Sequence, residues 1–272
     1  MRSFIGVIIF LLMSVVPAAT CLGGTLIISS RSTLTISADR ILVDVFAENK
    51  GNEPAYGVKA RLYIFDREYS AAAVDQLGVK QNRSFQFEVP LPTDQKGEFP
   101  FVGEVLYHDI NRLPVTALSA GTFKLGSPGG GLLSGRAPEL TLNANESLSV
   151  KVSSRDPAPW DMVATLYLPR ALTTPQKQKQ IRLKPFETAA VDFPLAHRHG
   201  AGGATYPVFC TLTYHDAGVA HAAVVQTVVH VKDFQNWFVR TRWSWLSAGV
   251  LLILGWVWLW VTAGSRGRGE GE

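Results

Sequence analysis

Short runs of alternating apolar and polar residues dominate the chain before residue 235. Ile41–Phe46 (ILVDVF), Val58–Ile64 (VKARLYI), Ser84–Val89 (SFQFEV) and Val102–Tyr107 (VGEVLY) are four of them. Period two puts successive side chains on opposite faces, so each run predicts a strand with one buried face. β-branched and aromatic residues fill the runs, and clusters of Gly, Asn, Asp and Pro separate them. No amphipathic helical stretch of 12 residues interrupts this pattern. Short strands with repeated turn signals predict an all-β sandwich architecture.

The pattern changes at both ends. Arg2 is followed by a 13-residue, largely apolar run, Phe4–Val16, and then by Pro17-Ala18-Ala19-Thr20-Cys21. This order predicts a signal peptide over residues 1–22, cut between Ala18 and Gly23. A lipidation site at Cys21 is the alternative, and Thr20 fits it poorly. Trp245–Ala263 is a run of 19 residues without a charge. As a helix it would reach about 28 Å, close to the hydrocarbon thickness of a bilayer. It predicts a single transmembrane helix over 245–263. Trp237, Trp243 and Trp245 suit one membrane interface, and Trp256, Trp258 and Trp260 the other. Arg240 and Arg242 precede the span and Arg266 and Arg268 follow it, so basic flanks do not orient it. The signal peptide does, predicting an exported body, a juxtamembrane segment over 235–244 and a cytoplasmic tail over 264–272.

The exported body repeats itself. FPFVGEVLYHD (Phe99–Asp109) aligns with YPVFCTLTYHD (Tyr206–Asp216). Ala60-Arg-Leu-Tyr matches Ala164-Thr-Leu-Tyr, Val89-Pro-Leu matches Phe193-Pro-Leu, and Val43 and Val45 match Val150 and Val152. Four blocks in one order predict a duplicated domain. Gly126–Pro138 (GSPGGGLLSGRAP) reads as a flexible linker. The expectation is therefore all-β: two tandem Ig-like β-sandwich domains, 23–125 and 139–234, plus a C-terminal transmembrane helix.

Glu48–Phe65 (ENKGNEPAYGVKARLYIF) resembles the strand-turn-strand of prokaryotic exported Ig-like domains of the CARDB and α-galactosidase-associated type, through Val45, Asn49, Gly51, Ala55 and Val58. Asn49 and Gly51 supply the turn, and Ala55 and Val58 begin the next strand. The second copy departs from this pattern with Arg155-Asp156-Pro157-Ala158-Pro159-Trp160. The resemblance implies exported, membrane-anchored, non-catalytic proteins and names no ligand.

The formal net charge of +4 does not indicate a nucleic-acid partner. Leu34–Leu125 holds 10 basic and 12 acidic residues and Pro138–Lys232 holds 9 and 7, so the bodies cancel. The excess lies outside them, much of it beside the predicted span. Cys21 sits at the edge of the signal peptide, which leaves Cys210 alone and no disulfide within a domain. That shifts the expectation to a bacterial or archaeal envelope protein, with a bacterial inner membrane the first choice of location.

The repeated Tyr-His-Asp is the sharpest local signal. Period two puts Tyr107 and Tyr214 on the core face, His108 and His215 on the other, and Asp109 and Asp216 at turns. These two His-Asp pairs are candidate partner or ligand contacts. Trp160, in the loop of the second copy and the one Trp outside the membrane region, could stack on a glycan. His197 and His199 could place two imidazoles toward a metal, although a site needs a third ligand. Gln176–Lys184 (QKQKQIRLK) carries four positive charges around a predicted hairpin. Hydrolase, metalloprotease, phosphate-loop, thiol-redox and dinucleotide motifs are missing. The expectation is a non-enzymatic envelope scaffold or binding subunit without a cofactor, contacting envelope or membrane proteins. Glycan-binding and metal-binding modules are the alternatives.

Overall fold

The computed structural model describes residues 25–126, 133–143, 145–155, 157–197, 203–232, 247 and 249–259. The chain is all-β and divides into two compact units, residues 1–95 with 100–123 and residues 96–99 with 124–272.

In the first unit, β1 (Ile28–Ile36), β2 (Arg40–Asn49), β3 (Ala55–Ile64), β4 (Arg67–Ser70), β5 (Val74–Leu77), β6 (Asn82–Pro90), β7 (Lys96–His108) and β8 (Pro114–Leu125) follow one another. One sheet has the order β1-β2-β6. In the other, β3 pairs with β7 on one side and with β4 and β5 on the other, and β8 adds to β7. Ile41, Val43, Val45 and Ala47 of β2 are buried at every second position, as are Phe85, Phe87 and Val89 of β6. These are the positions the alternation selects.

The second unit contains β9 (Leu133–Arg136), β10 (Leu140–Leu142), β11 (Asn145–Ser154), β12 (Trp160–Tyr167), β13 (Leu172–Thr173), β14 (Gln178–Leu183), β15 (Thr188–His197), β16 (Thr205–Asp216) and β17 (Val219–Val231). One sheet runs β13-β15-β11-β9. In the other, β14, β12, β16 and β17 are successive neighbours, and β10 pairs with β17 in parallel. Leu148, Val150, Phe193, Leu195, Met162, Leu212 and Val229 belong to one buried cluster between the sheets. Complete burial of each aliphatic side chain contributes about 2 kcal/mol. The four matched sequence blocks occupy matching strands: β2 and β11, β3 and β12, β6 and β15, β7 and β16.

Composition reads 126–138 as linker, yet Leu133–Arg136 is strand β9, paired with β11. The reason lies in packing. A Cβ at Gly135 would stand 2.3 Å from Val225 Cγ2 and 2.7 Å from Leu212 Cδ1, so the glycine lets this strand close on the core. Residues 127–132 lie outside the described residues.

Ser247 and residues 249–259 are helical, and no described helix is long and apolar enough to cross a membrane. The rest of the 245–263 span, the 1–22 segment with Cys21 and the 264–272 tail lie outside the described residues.

Candidate functional site

The first unit opens a cleft of about 550 Å³ at one end, lined by Tyr56, His108, Asp109, Ile110 and Arg112. A β-bulge shapes it. The β3–β7 register is constant from Lys59 to Ile64 and shifts between Lys59 and Tyr56, which pairs with His108. Gly57 supplies the bulge with a φ of 57°, a backbone conformation that favours glycine. The extra residue breaks the alternation: Ala55 and Val58 are buried, while Tyr56 and Gly57 between them are exposed. Tyr56 is thereby turned outward beside His108.

The opposite wall is the loop between β7 and β8. Asp109 holds it, its carboxylate accepting the Leu113 N–H (2.7 Å) and its carbonyl the Arg112 N–H (3.0 Å). Asp109 is thus a turn former, and Arg112 adopts a φ of 62°. The loop displays two aliphatic side chains, Ile110 at 61% and Leu113 at 54% exposure. An aromatic ring, one aliphatic group, an imidazole, a carboxylate and a guanidinium line an open concavity. That set suits a partner's apolar side chain with a polar group at its rim.

The second unit builds the same end differently. β16 and β17 join through a two-residue turn, Ala217 and Gly218, with φ angles of 46° and 81°. Asp216 closes the turn and His215 is exposed, opposite Ala220. The sequence places Trp160 in a loop; it is instead the first residue of β12, because it pairs with Leu183. β12 pairs with β14 in one register from Trp160 to Thr165, so Trp160 keeps the inward parity of Met162 and packs against the core cluster. Its ring lies 5.1 Å from Tyr214, and His221 stacks on Tyr214 at 4.6 Å and 11°. The Trp160 and Tyr214 rings are tilted by 37° to one another.

The remaining predicted residues are dispersed. His197 ends β15 opposite Leu172, and His199 lies outside the described residues. His230 is hydrogen-bonded to Thr205 (3.1 Å) and to Glu139 (3.2 Å). Among the described residues no group of three His, Cys, Asp or Glu side chains could hold a metal ion. Cys210 is buried at 2% exposure, and burial pushes its thiol up to about 12, which leaves it neutral and unreactive. Burial also pushes the Tyr63 phenol up to about 12; its hydroxyl donates to Glu104 (3.0 Å). Of the basic run, Gln178–Leu183 forms the outer strand β14. Trp256 and Trp258 are exposed on the helix, whereas Trp237, Trp243, Trp245 and Trp260 lie outside the described residues.

Sequence reasoning missed Tyr56, Ile110 and Arg112. The available signal was Gly57, a lone glycine inside a strand pattern, which marks bulges.

No family model and no curated protein matches the chain. Among solved structures, trypsin-activated α2-macroglobulin from Escherichia coli is similar at 9% identity and a TM-score of 0.31, over 76% of this chain and 18% of that one. The elastase-activated form gives 11% and 0.30, over 75% and 22%. Red sea bream transglutaminase gives 12% and 0.24, over 75% and 31%. The chain spans under a third of the length of each of these proteins. Similarity this slight transfers no activity and no partner.

Proposed function

We propose that this chain is a non-enzymatic binding subunit of a bacterial cell envelope, exported and held at the inner membrane by its C-terminal segment. The observation that carries the binding role is the cleft of the first unit, where Tyr56 and Ile110 stay exposed beside Arg112. Folding gains nothing from leaving them in water, and Tyr and Arg anchors are enriched at protein interfaces. The anchor reading is supported by the helix at 249–259, whose Leu251, Leu252, Ile253, Leu254, Trp256, Trp258 and Leu259 are each more than half exposed. A helix apolar all round needs an apolar environment.

The test is affinity purification of the full-length chain from native membranes, comparing wild type with Ile110→Asp and Tyr56→Ala. The proposal expects the same partner proteins in the wild-type eluate and their loss by about tenfold from both variants. Unchanged recovery with both variants, or a full-length chain found only in the soluble fraction, would overturn it.

A further inference from the structure

β6 has β2 on one side and no described strand on the other. Hydrogen-bonded and non-bonded pairs alternate along an antiparallel ladder. The Asn49 N–H donates to Gln81 O and the Leu91 N–H to Asp39 O, in the register of the β2–β6 ladder. Odd-numbered residues of β6 therefore bond β2. The main-chain N–H and C=O groups of Ser84, Gln86 and Glu88 point out of the sheet.

Such an edge is a template for another strand, and proteins blunt it with lysines, prolines, bulges or cover. The second unit does so. Asp192, the β15 counterpart of Glu88, has its carbonyl capped by Lys179 Nζ at 2.5 Å, and the ammonium lies 5.5 Å from the Phe193 ring centre. β13 covers the end of the same edge, Leu172 opposite His197 and Thr173 opposite Ala196. In the first unit the guard is missing. Lys179 pairs with Ala164, the counterpart of Ala60, and Ala60 O accepts the Ala71 N–H. An alanine thus stands where the capping lysine would be. β6 reads NRSFQFEVP, without lysine, without proline before Pro90, and without an inward charge after Arg83.

We infer that the β6 edge accepts an extended segment of a partner protein as an added strand. This rests on the binding-subunit reading for the existence of a partner, and it names a surface separate from the cleft. The residues beside the edge define the occupant. Phe85, Phe87 and Val89 face inward, whereas Asn82, Ser84 and Gln86 present uncharged polar groups outward and Glu88 is already paired with Arg40 at 2.9 Å. A segment alternating aliphatic residues with Thr or Ser fits, because its main chain supplies the bonds and its pleat matches both faces. β13, the strand that the matching β15 edge accepts, is such a pair: Leu172 buried and Thr173 half-buried.

The experiment adds a soluble probe peptide, Lys-Thr-Val-Thr-Leu-Thr-Val-Thr-Lys, to the purified full-length chain and follows amide hydrogen exchange and fluorescence anisotropy. Binding should slow exchange at Ser84, Gln86 and Glu88 by about tenfold or more. Gln86→Pro removes one outward N–H and no ladder bond, and Ala71→Lys installs the guard of the second unit. Both should weaken binding by about tenfold while exchange along β2 stays native. Ile110→Asp should bind the probe like wild type, so a failure of the cleft and a failure of this edge are told apart. Equal binding by Gln86→Pro and Ala71→Lys overturns the inference. So does the absence of protection at millimolar probe, protection confined to residues 109–113, or a Gln86→Cys variant that links two copies of β6.

Discussion

Tyr56 and Trp160 occupy matched positions, four residues before the matched alanines Ala60 and Ala164, and they face opposite ways. Trp160 packs inward on Tyr214 and the core. Tyr56 stands 36% exposed on the wall of a cleft. The cause is one residue of register, the bulge at Gly57, since a one-residue slip moves a side chain to the other face of the sheet. The matched strands thus yield one end closed by an aromatic stack and one end whose aromatic ring stays partly exposed.

A second matched pair differs in titration, and the largest effect is expected there. Cys210 lies in the core of the second unit, and its counterpart in the first is Gly103. The folded-state pKa of Cys210 is raised from 9.0 to about 12 by burial. The unfolded chain therefore releases this proton first as pH rises. The stability tied to the neutral thiol is complete below about pH 9 and is lost between pH 9 and about 12. A shift of this size is worth about 4 kcal/mol. Unit-resolved hydrogen exchange across that range should show the second unit loosening, and Cys210→Ala should flatten the response. Tyr63, half-buried in the first unit, gives a smaller alkaline loss above its ordinary value of 10.0.

Next in size is the aromatic stack. Trp160→Ala removes a half-buried ring from Tyr214 and the core, and the expected cost is about 3 kcal/mol, the low end for a large aromatic truncation. Urea unfolding followed by exchange in β12 and β16 measures it. A cost below about 0.5 kcal/mol would show that the stack contributes nothing and that both ends are equivalent.

Exchanging residues between the units probes the packing behind the pair. A Cβ at Gly103 would lie 2.5 Å from Ser32 Oγ and 2.9 Å from Ser119 Oγ, two hydroxyls already 2.6 Å apart. Gly103→Cys, which copies Cys210 into the first unit, should cost about 2 kcal/mol by overpacking. In the second unit the glycine of this contact is Gly135, with Val225 opposite. A thermal melt of the variant, with exchange along β1 and β8, locates the damage.

What could be read from the residues follows from how local each cause is. The strands were legible because period two at Val43, Val45, Phe85 and Phe87 records burial directly. The Asn49 and Gly51 turn was legible too. Asn49 is fully buried, accepts the Gly51 N–H (3.0 Å) and donates to Glu53 O (2.8 Å), all within five residues. The cleft was not legible, since it needs Tyr56 and Ile110 brought together across a shifted β3–β7 register. β9 was hidden for a similar reason: Gly135 reads as linker until Val225 and Leu212 are placed against it.

The smallest stability change belongs to Tyr56, and it bears most directly on binding. Tyr56→Ala removes a ring that is 36% exposed and lies outside the core, so folding should change by less than about 1 kcal/mol. Gly57→Val penalises the positive φ of the bulge; if β3 then runs in one register, Tyr56 lies an even number of residues before Ala60 and should turn inward, to the position Trp160 holds. Nitration of tyrosines, mapped by mass spectrometry, reads that rotation: Tyr56 should react in the wild type and be shielded in Gly57→Val. If Tyr56 stays reactive once Gly57 is replaced, the bulge does not aim it. The cleft would then owe its shape to the Asp109 loop alone. Partner recovery by Tyr56→Ala and by Gly57→Val should fall together, because both withdraw the same ring from the same wall.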